Sequence, residues 1–76
     1  MAELVLEIAR RLVDDPGAVS IEELEQGSEV LLRLTVAEAD RGKVIGRGGR
    51  IVRALRTLVR AGGVREGRRY LLEIVE

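Results

Sequence analysis

Residues 42–50, Gly42-Lys43-Val44-Ile45-Gly46-Arg47-Gly48-Gly49-Arg50, gather four glycines and three bases in the middle of the chain. Glycine lets the backbone reverse within a few residues and lets an anion reach main-chain amides without meeting a Cβ atom. A helix beginning at Arg50 directs unpaired N–H groups toward the loop, so a phosphate placed there gains hydrogen bonds and a favourable dipole. Lys43, Arg47 and Arg50 surround that position with positive charge. Such contacts hold a sugar-phosphate chain without reading its sequence. The plainer alternative is a tight helix-turn-helix corner made by Gly46 and Gly49. The flanking bases, together with Val44, Ile45 and Val52 as either groove floor or core, favour the anion clamp.

Other phosphate chemistries fail on spacing. A Walker A loop needs a lysine and a hydroxyl directly after its glycines, and neither follows Gly49. A dinucleotide fingerprint needs glycine where Ile51 stands and a strand immediately before Gly46. The densest carboxylate group, Glu22, Glu23 and Glu25, has no histidine or cysteine anywhere in the chain to work with and reads as a solvated strand edge. No catalytic constellation, metal site or cofactor is implied.

Composition narrows the partner further. Residues 1–40 carry three arginines against ten acids, a balance of −7, and residues 41–76 carry ten bases against three acids, a balance of +7. That polarity is either attraction between the two halves of the fold or the footprint of a polyanion partner. Tyr70 is the only aromatic residue, so the stacking platforms of many RNA readers are missing, and bases must be met by aliphatic side chains and hydrogen bonds. Neither a secretory pattern at Met1-Ala2-Glu3 nor an apolar run of about 20 residues is present, which leads us to expect a cytoplasmic protein with no membrane partner.

The elements that must position the loop follow from periodicity. Leu4, Val5, Ile8 and Leu12 recur at helical spacing over 2–13, and Asp14-Asp15-Pro16-Gly17 stops that helix. Val19 and Ile21 open a strand to about Glu25, where Glu22-Glu23-Leu24 breaks strict alternation and admits a bulge. After a Gln26-Gly27-Ser28 turn, Val30, Leu32, Leu34 and Val36 alternate with outward residues. A short helix near Asp40–Ile45 follows, with Asp40 placed to accept from free amides at its start. Beyond the glycine loop, a helix from Arg50 to about Ala61 sets Ile51, Val52, Leu55, Leu58 and Val59 against Arg50, Arg53, Arg56 and Arg60. Gly62-Gly63 ends it, and a last strand runs from Arg68 to Glu76. The order αββααβ predicts one α+β domain over residues 1–76. Its three-stranded sheet is mixed, because the hairpin is antiparallel and the two-helix crossover returns a parallel strand, and the helices cover one face.

The stretch from Val44 to Val52 matches the I-G-x-x-G-x-x-I/V pattern of KH domains, and the element order resembles their type II, bacterial form. Asp40-Arg41-Gly42-Lys43-Val44-Ile45-Gly46 and Ala54-Leu55-Arg56-Thr57-Leu58-Val59 extend the likeness to the small single-domain KH proteins called the KhpA family. That resemblance implies a groove for about four single-stranded nucleotides with the loop clamping their backbone. Carried onto this chain, Gly46, Arg47, Gly48 and Gly49 are the clamp and Lys43 and Arg50 flank it, with Arg53 grouped beside them. Ile45 and Val52 line the base-facing groove, with Leu34 a further candidate. The resemblance also implies single-stranded RNA as partner, a role as RNA chaperone or post-transcriptional regulator, and pairing with a second copy or with a larger Jag-type KH protein. Leu31, Leu71 and Val75 on the uncovered sheet face, and the Arg56–Arg60 end of the helix, are candidate partner surfaces. The acidity of residues 1–40 is a departure that confines RNA to a narrow basic strip.

Overall fold

The computed structural model describes residues 1–75. Helix α1 spans Ala2–Leu12, strands β1 and β2 span Ser20–Gln26 and Glu29–Thr35, and the short helix α2 spans Arg41–Ile45. Helix α3 then runs from Arg50 to Glu66 and strand β3 from Arg69 to Ile74, with single 3₁₀ turns at Pro16–Ala18, Glu38–Asp40 and Arg47–Gly49. The strand order is β1-β2-β3, antiparallel between β1 and β2 and parallel between β2 and β3. The expected mixed sheet is therefore present.

Alternation decides which face of that sheet is covered. Val30, Leu32 and Leu34 of β2 are fully buried, and their register partners on β3 are Tyr70, Leu72 and Ile74. Each such aliphatic side chain contributes about 1.5–3 kcal/mol on burial. Val5 and Ala9 of α1, Val44 of α2, and Leu55 and Val59 of α3 close the core from the helical side. On the other face Arg33 lies between Glu22 and Glu73 in the register and pairs with both, at 3.4 and 3.3 Å. Leu24, Leu31 and Leu71 form the neighbouring row there.

Several expectations need correction. In α1 the buried stripe is centred on Val5 and Ala9, while Leu4 is 44% exposed, because the helix meets the sheet about one residue round from the face the large residues suggested. The β1–β2 register runs unbroken from Ser20↔Thr35 to Gln26↔Glu29, so no bulge forms at Glu22-Glu23-Leu24. As expected of a solvated edge, Glu23 and Glu25 stay exposed although they occupy core-side register positions, and Arg68 pairs with Glu25. Leu58 of α3 is likewise exposed rather than core.

The largest correction is at Gly62-Gly63, through which α3 continues for another turn. A Cβ on Gly63 would stand 2.3 Å from the Arg68 carbonyl oxygen and 2.9 Å from the Tyr70 ring. Glycine there serves close approach of helix and returning strand, and the Arg68 amide donates to the Gly63 carbonyl at 2.8 Å. The stop is Gly67, in left-handed conformation at φ 69°, ψ 25°. Strand β3 ends at Ile74, one residue short of the expected course through Val75, whose amide still donates to the Leu34 carbonyl at 2.8 Å, and Glu76 falls outside the described residues.

Candidate nucleic-acid interface

Two packed helices, α2 and α3, hold the glycine loop between them. Helix α2 presents Val44 to the core, and the Gly46 amide closes the helix by donating to the Gly42 carbonyl at 2.9 Å. The chain then turns at Gly46, whose φ 77°, ψ 171° is a region open essentially only to glycine. A side chain would also collide there, since its Cβ would lie 2.9 Å from the Ile51 amide nitrogen. Gly48 and Gly49 follow with positive φ. The Gly49 amide donates to the Gly46 carbonyl at 3.1 Å and the Arg50 amide to that of Arg47. The amides of Arg47 and Gly48 have no acceptor among the described residues.

Carbonyls and amides of the loop are sorted by Arg53. Its Nη2 donates to the Gly48 carbonyl at 2.8 Å and its Nε to that of Gly49 at 3.3 Å. Oxygens that would repel an anion are thereby engaged, while the amide side stays free. Arg47 and Arg50 are exposed and have no ion-pair partner among the described residues.

Lys43 is differently placed. Its Nζ lies 3.0 Å from Asp14 and 3.3 Å from Asp40, and the bonds it donates to them push its pKa above the ordinary 10.5. Asp40 itself is 2% exposed and makes no cap to α2, which corrects the capping expectation. Its carboxylate instead accepts the amides of Asp15 and Asp14, at 3.1 and 3.3 Å, tying the exit of α1 to the start of α2. Burial alone would raise the Asp40 carboxyl, but those amides and Lys43 outweigh it and hold it below the ordinary 3.8. Attraction between the oppositely charged halves is thus real at Lys43, Arg68 and Arg69, which pair with Asp14 and Asp40, with Glu25, and with Glu29. It leaves Arg47 and Arg50 without an ion pair among the described residues.

Beside the loop runs a cleft of about 250 Å³ lined by Arg41, Ile45, Val52, Arg56, Glu73 and Ile74. Ile45 and Val52 are where the groove reading needs them. Leu34 is not, being fully buried, and the aliphatic residue that joins them is Ile74 on β3. Arg41, Arg56 and Ile74 were not legible as lining. The Ile74 position depends on which strand lies next to α3, and only the sheet order supplies that.

An αββααβ chain with a mixed three-stranded sheet and a Gly-x-x-Gly turn between its two consecutive helices is a type II KH domain. Its residues 2–74 match the family model described as KhpA/KhpB, KH domain, and the chain belongs to that family. It is 47% identical over 75 residues to the RNA-binding protein KhpA of Caldanaerobacter subterraneus, covering 99% of this chain and 100% of that one. It is 49% identical over 74 residues to the RNA-binding protein KhpA of Treponema pallidum, covering 97% and 92% of the two chains. With the protein of the same name from Aquifex aeolicus it shares 43% over 76 residues, 100% of this chain and 96% of the relative. No solved structure matches the chain.

Proposed function

We propose that this chain is a non-enzymatic binder of single-stranded RNA, its residues working as one KH domain that clamps the sugar-phosphate chain, without reading sequence at the clamp itself, on Gly46-Arg47-Gly48-Gly49. The observation that carries the reading is the pair of unengaged amides at Arg47 and Gly48, backed by a 17-residue helix and flanked by the free cations Arg47 and Arg50. Bases then lie over Ile45, Val52 and Ile74, and Arg53 holds the loop in shape. Lys43, held by two carboxylates, contributes the least of the nearby bases. Relatives bearing the name RNA-binding protein KhpA support RNA over other polyanions. A role as RNA chaperone or post-transcriptional regulator in the cytoplasm fits a weak grip of this kind. Among the described residues no helix is long and apolar enough to cross a membrane.

The test is a salt titration of binding to a short unstructured RNA, combined with crosslinking. Affinity should fall with salt at a slope of about −0.7 per neutralised phosphate, and crosslinks should fall between Lys43 and Arg53. A salt-independent affinity, or crosslinks on the β1 side of the sheet, would reject the clamp.

One observation favours a second reading, an adaptor that pairs with itself or with a larger Jag-type KH protein. Helix α3 exposes Ala54, Leu58, Ala61 and Val64 at three- to four-residue spacing, and Val64 is 78% exposed. Sedimentation decides this reading: a strict monomer that binds RNA tightly removes it.

A further inference from the structure

Of the basic residues near the glycine loop, Arg41 alone has a donor that is both buried and unused. Its Nε–H lies out of contact with solvent and has no hydrogen-bond partner among the described residues, whereas Lys43, Arg53 and Arg56 are all engaged. A buried donor without an acceptor is costly and uncommon in folded proteins. Arg41 therefore gives up no hydrogen bond at Nε when its side chain turns into the cleft it already lines. The rest of that cleft near the loop, Ile45, Val52 and Ile74, is aliphatic and offers a base van der Waals contact but no discrimination. Specificity has to come from the polar groups on its rim. Arg56 is already occupied with the Leu72 carbonyl at 3.3 Å, and the Glu73 carboxylate pairs with Arg33 on the opposite sheet face.

Resting on the RNA-binding reading above, we infer that Arg41 makes this a guanine-preferring domain, its guanidinium fork donating to the O6 and N7 acceptors of the base seated on Ile45, Val52 and Ile74. Guanine presents two adjacent acceptors, O6 and N7, that match a planar pair of N–H donors, whereas adenine places an amino donor beside N7 and uracil an N3–H between its carbonyls. Cytosine carries an O2/N3 pair on its pairing edge, but the larger guanine ring covers more of the aliphatic floor of Ile45, Val52 and Ile74, so the cytosine oligomer should bind less tightly than the guanine one, and equal binding of the two overturns the guanine preference. A phosphate oxygen would satisfy the same fork, but the unengaged amides of Arg47 and Gly48 and the exposed Arg47 and Arg50 already provide for phosphate.

Fluorescence-anisotropy titrations of the full chain separate these cases, using oligouridine eight-mers in which one internal position is U, G, A, C or 7-deazaguanine. The wild-type protein should bind the guanine oligomer roughly five- to 150-fold more tightly than the all-uridine one, and 7-deazaguanine should lose most of that margin. Both Arg41→Met and Arg41→Lys should bring the ratio close to unity, the second because an ammonium keeps the charge but lacks the fork. Circular dichroism of both variants guards against a folding defect. A wild-type ratio near one with all oligomers bound overturns the guanine preference and leaves the clamp standing. An equal loss for every oligomer on Arg41→Met makes the residue a phosphate contact and also overturns it. If the wild-type chain binds none of the oligomers, the RNA-binding reading itself falls and takes the inference with it.

Discussion

Arg53, one turn into α3, donates to the Gly48 carbonyl at 2.8 Å, so the helix that follows the glycine loop also fixes the loop's shape. An exposed hydrogen bond of this kind is worth about 0.5–1.5 kcal/mol. In Arg53→Met, amide exchange at Gly49 and Arg50, whose amides close the turn on the Gly46 and Arg47 carbonyls, should quicken by roughly two- to tenfold. RNA affinity should drop with it while the thermal midpoint stays close to wild type. Unchanged exchange would mean that the glycine backbone orders itself unaided.

The clamp is tested most directly by Arg47→Asp combined with Gly48→Asp. Gly48 is left-handed at φ 65°, ψ 18°, a conformation aspartate tolerates, and nothing lies within 4 Å of its would-be Cβ. The double variant should melt within about 8 °C of wild type, the shift expected for about 1 kcal/mol in a domain of this size, yet lose RNA binding more than about tenfold. Gly46→Ala is the contrasting case. Its backbone angles and the close Ile51 amide both oppose a side chain, so folding should suffer by about 1–3 kcal/mol or more.

Adjacent glycines in α3 should respond in opposite directions. Gly62→Ala meets only the flexible end of Met1 and gains helix propensity, so it should be neutral or stabilising by up to about 1 kcal/mol. Gly63→Ala drives a methyl group into the Arg68 carbonyl and should destabilise by about 1–3 kcal/mol. Equal effects in urea melts would show that α3 and β3 are not packed as closely as described.

Asp40 and Lys43 set a pH window. The Asp40 carboxyl is held below its ordinary 3.8, so its contribution is fully present above that value and is lost as pH falls through the lower, folded-state pKa. Lys43 is raised above 10.5, so its contribution is present below that value and is lost as pH climbs through the folded-state pKa. Asp40→Asn should therefore lower the thermal midpoint at neutral pH. The gap to wild type should close in strong acid, where both proteins carry a neutral group at position 40. A gap that persists unchanged at pH 2 would mean that the charge of Asp40 contributes nothing.

Much of the fold was written in local pattern. The alternation of Val30, Leu32 and Leu34 gave the central strand, and the spacing of Val52, Leu55 and Val59 gave the buried face of α3. The loop from Gly46 to Gly49 was legible because its residue types are dictated by its own backbone. Asp40 was misassigned for the opposite reason: its position suggested a cap four residues wide, while its actual partners are amides 25 and 26 residues away.

By itself the sequence determined the order of elements, the mixed sheet and the place of the glycine turn, since each follows from periodicity and backbone freedom within a few residues. Tertiary structure alone decided that Gly63 is a contact and not a stop, that Lys43 is tied up, and that Ile74 and Arg41 join Ile45 and Val52 around one cleft. Those outcomes depend on which distant segments meet. The same side chain can cap, pair, pack or face solvent, and only the neighbour brought to it by the fold selects among these.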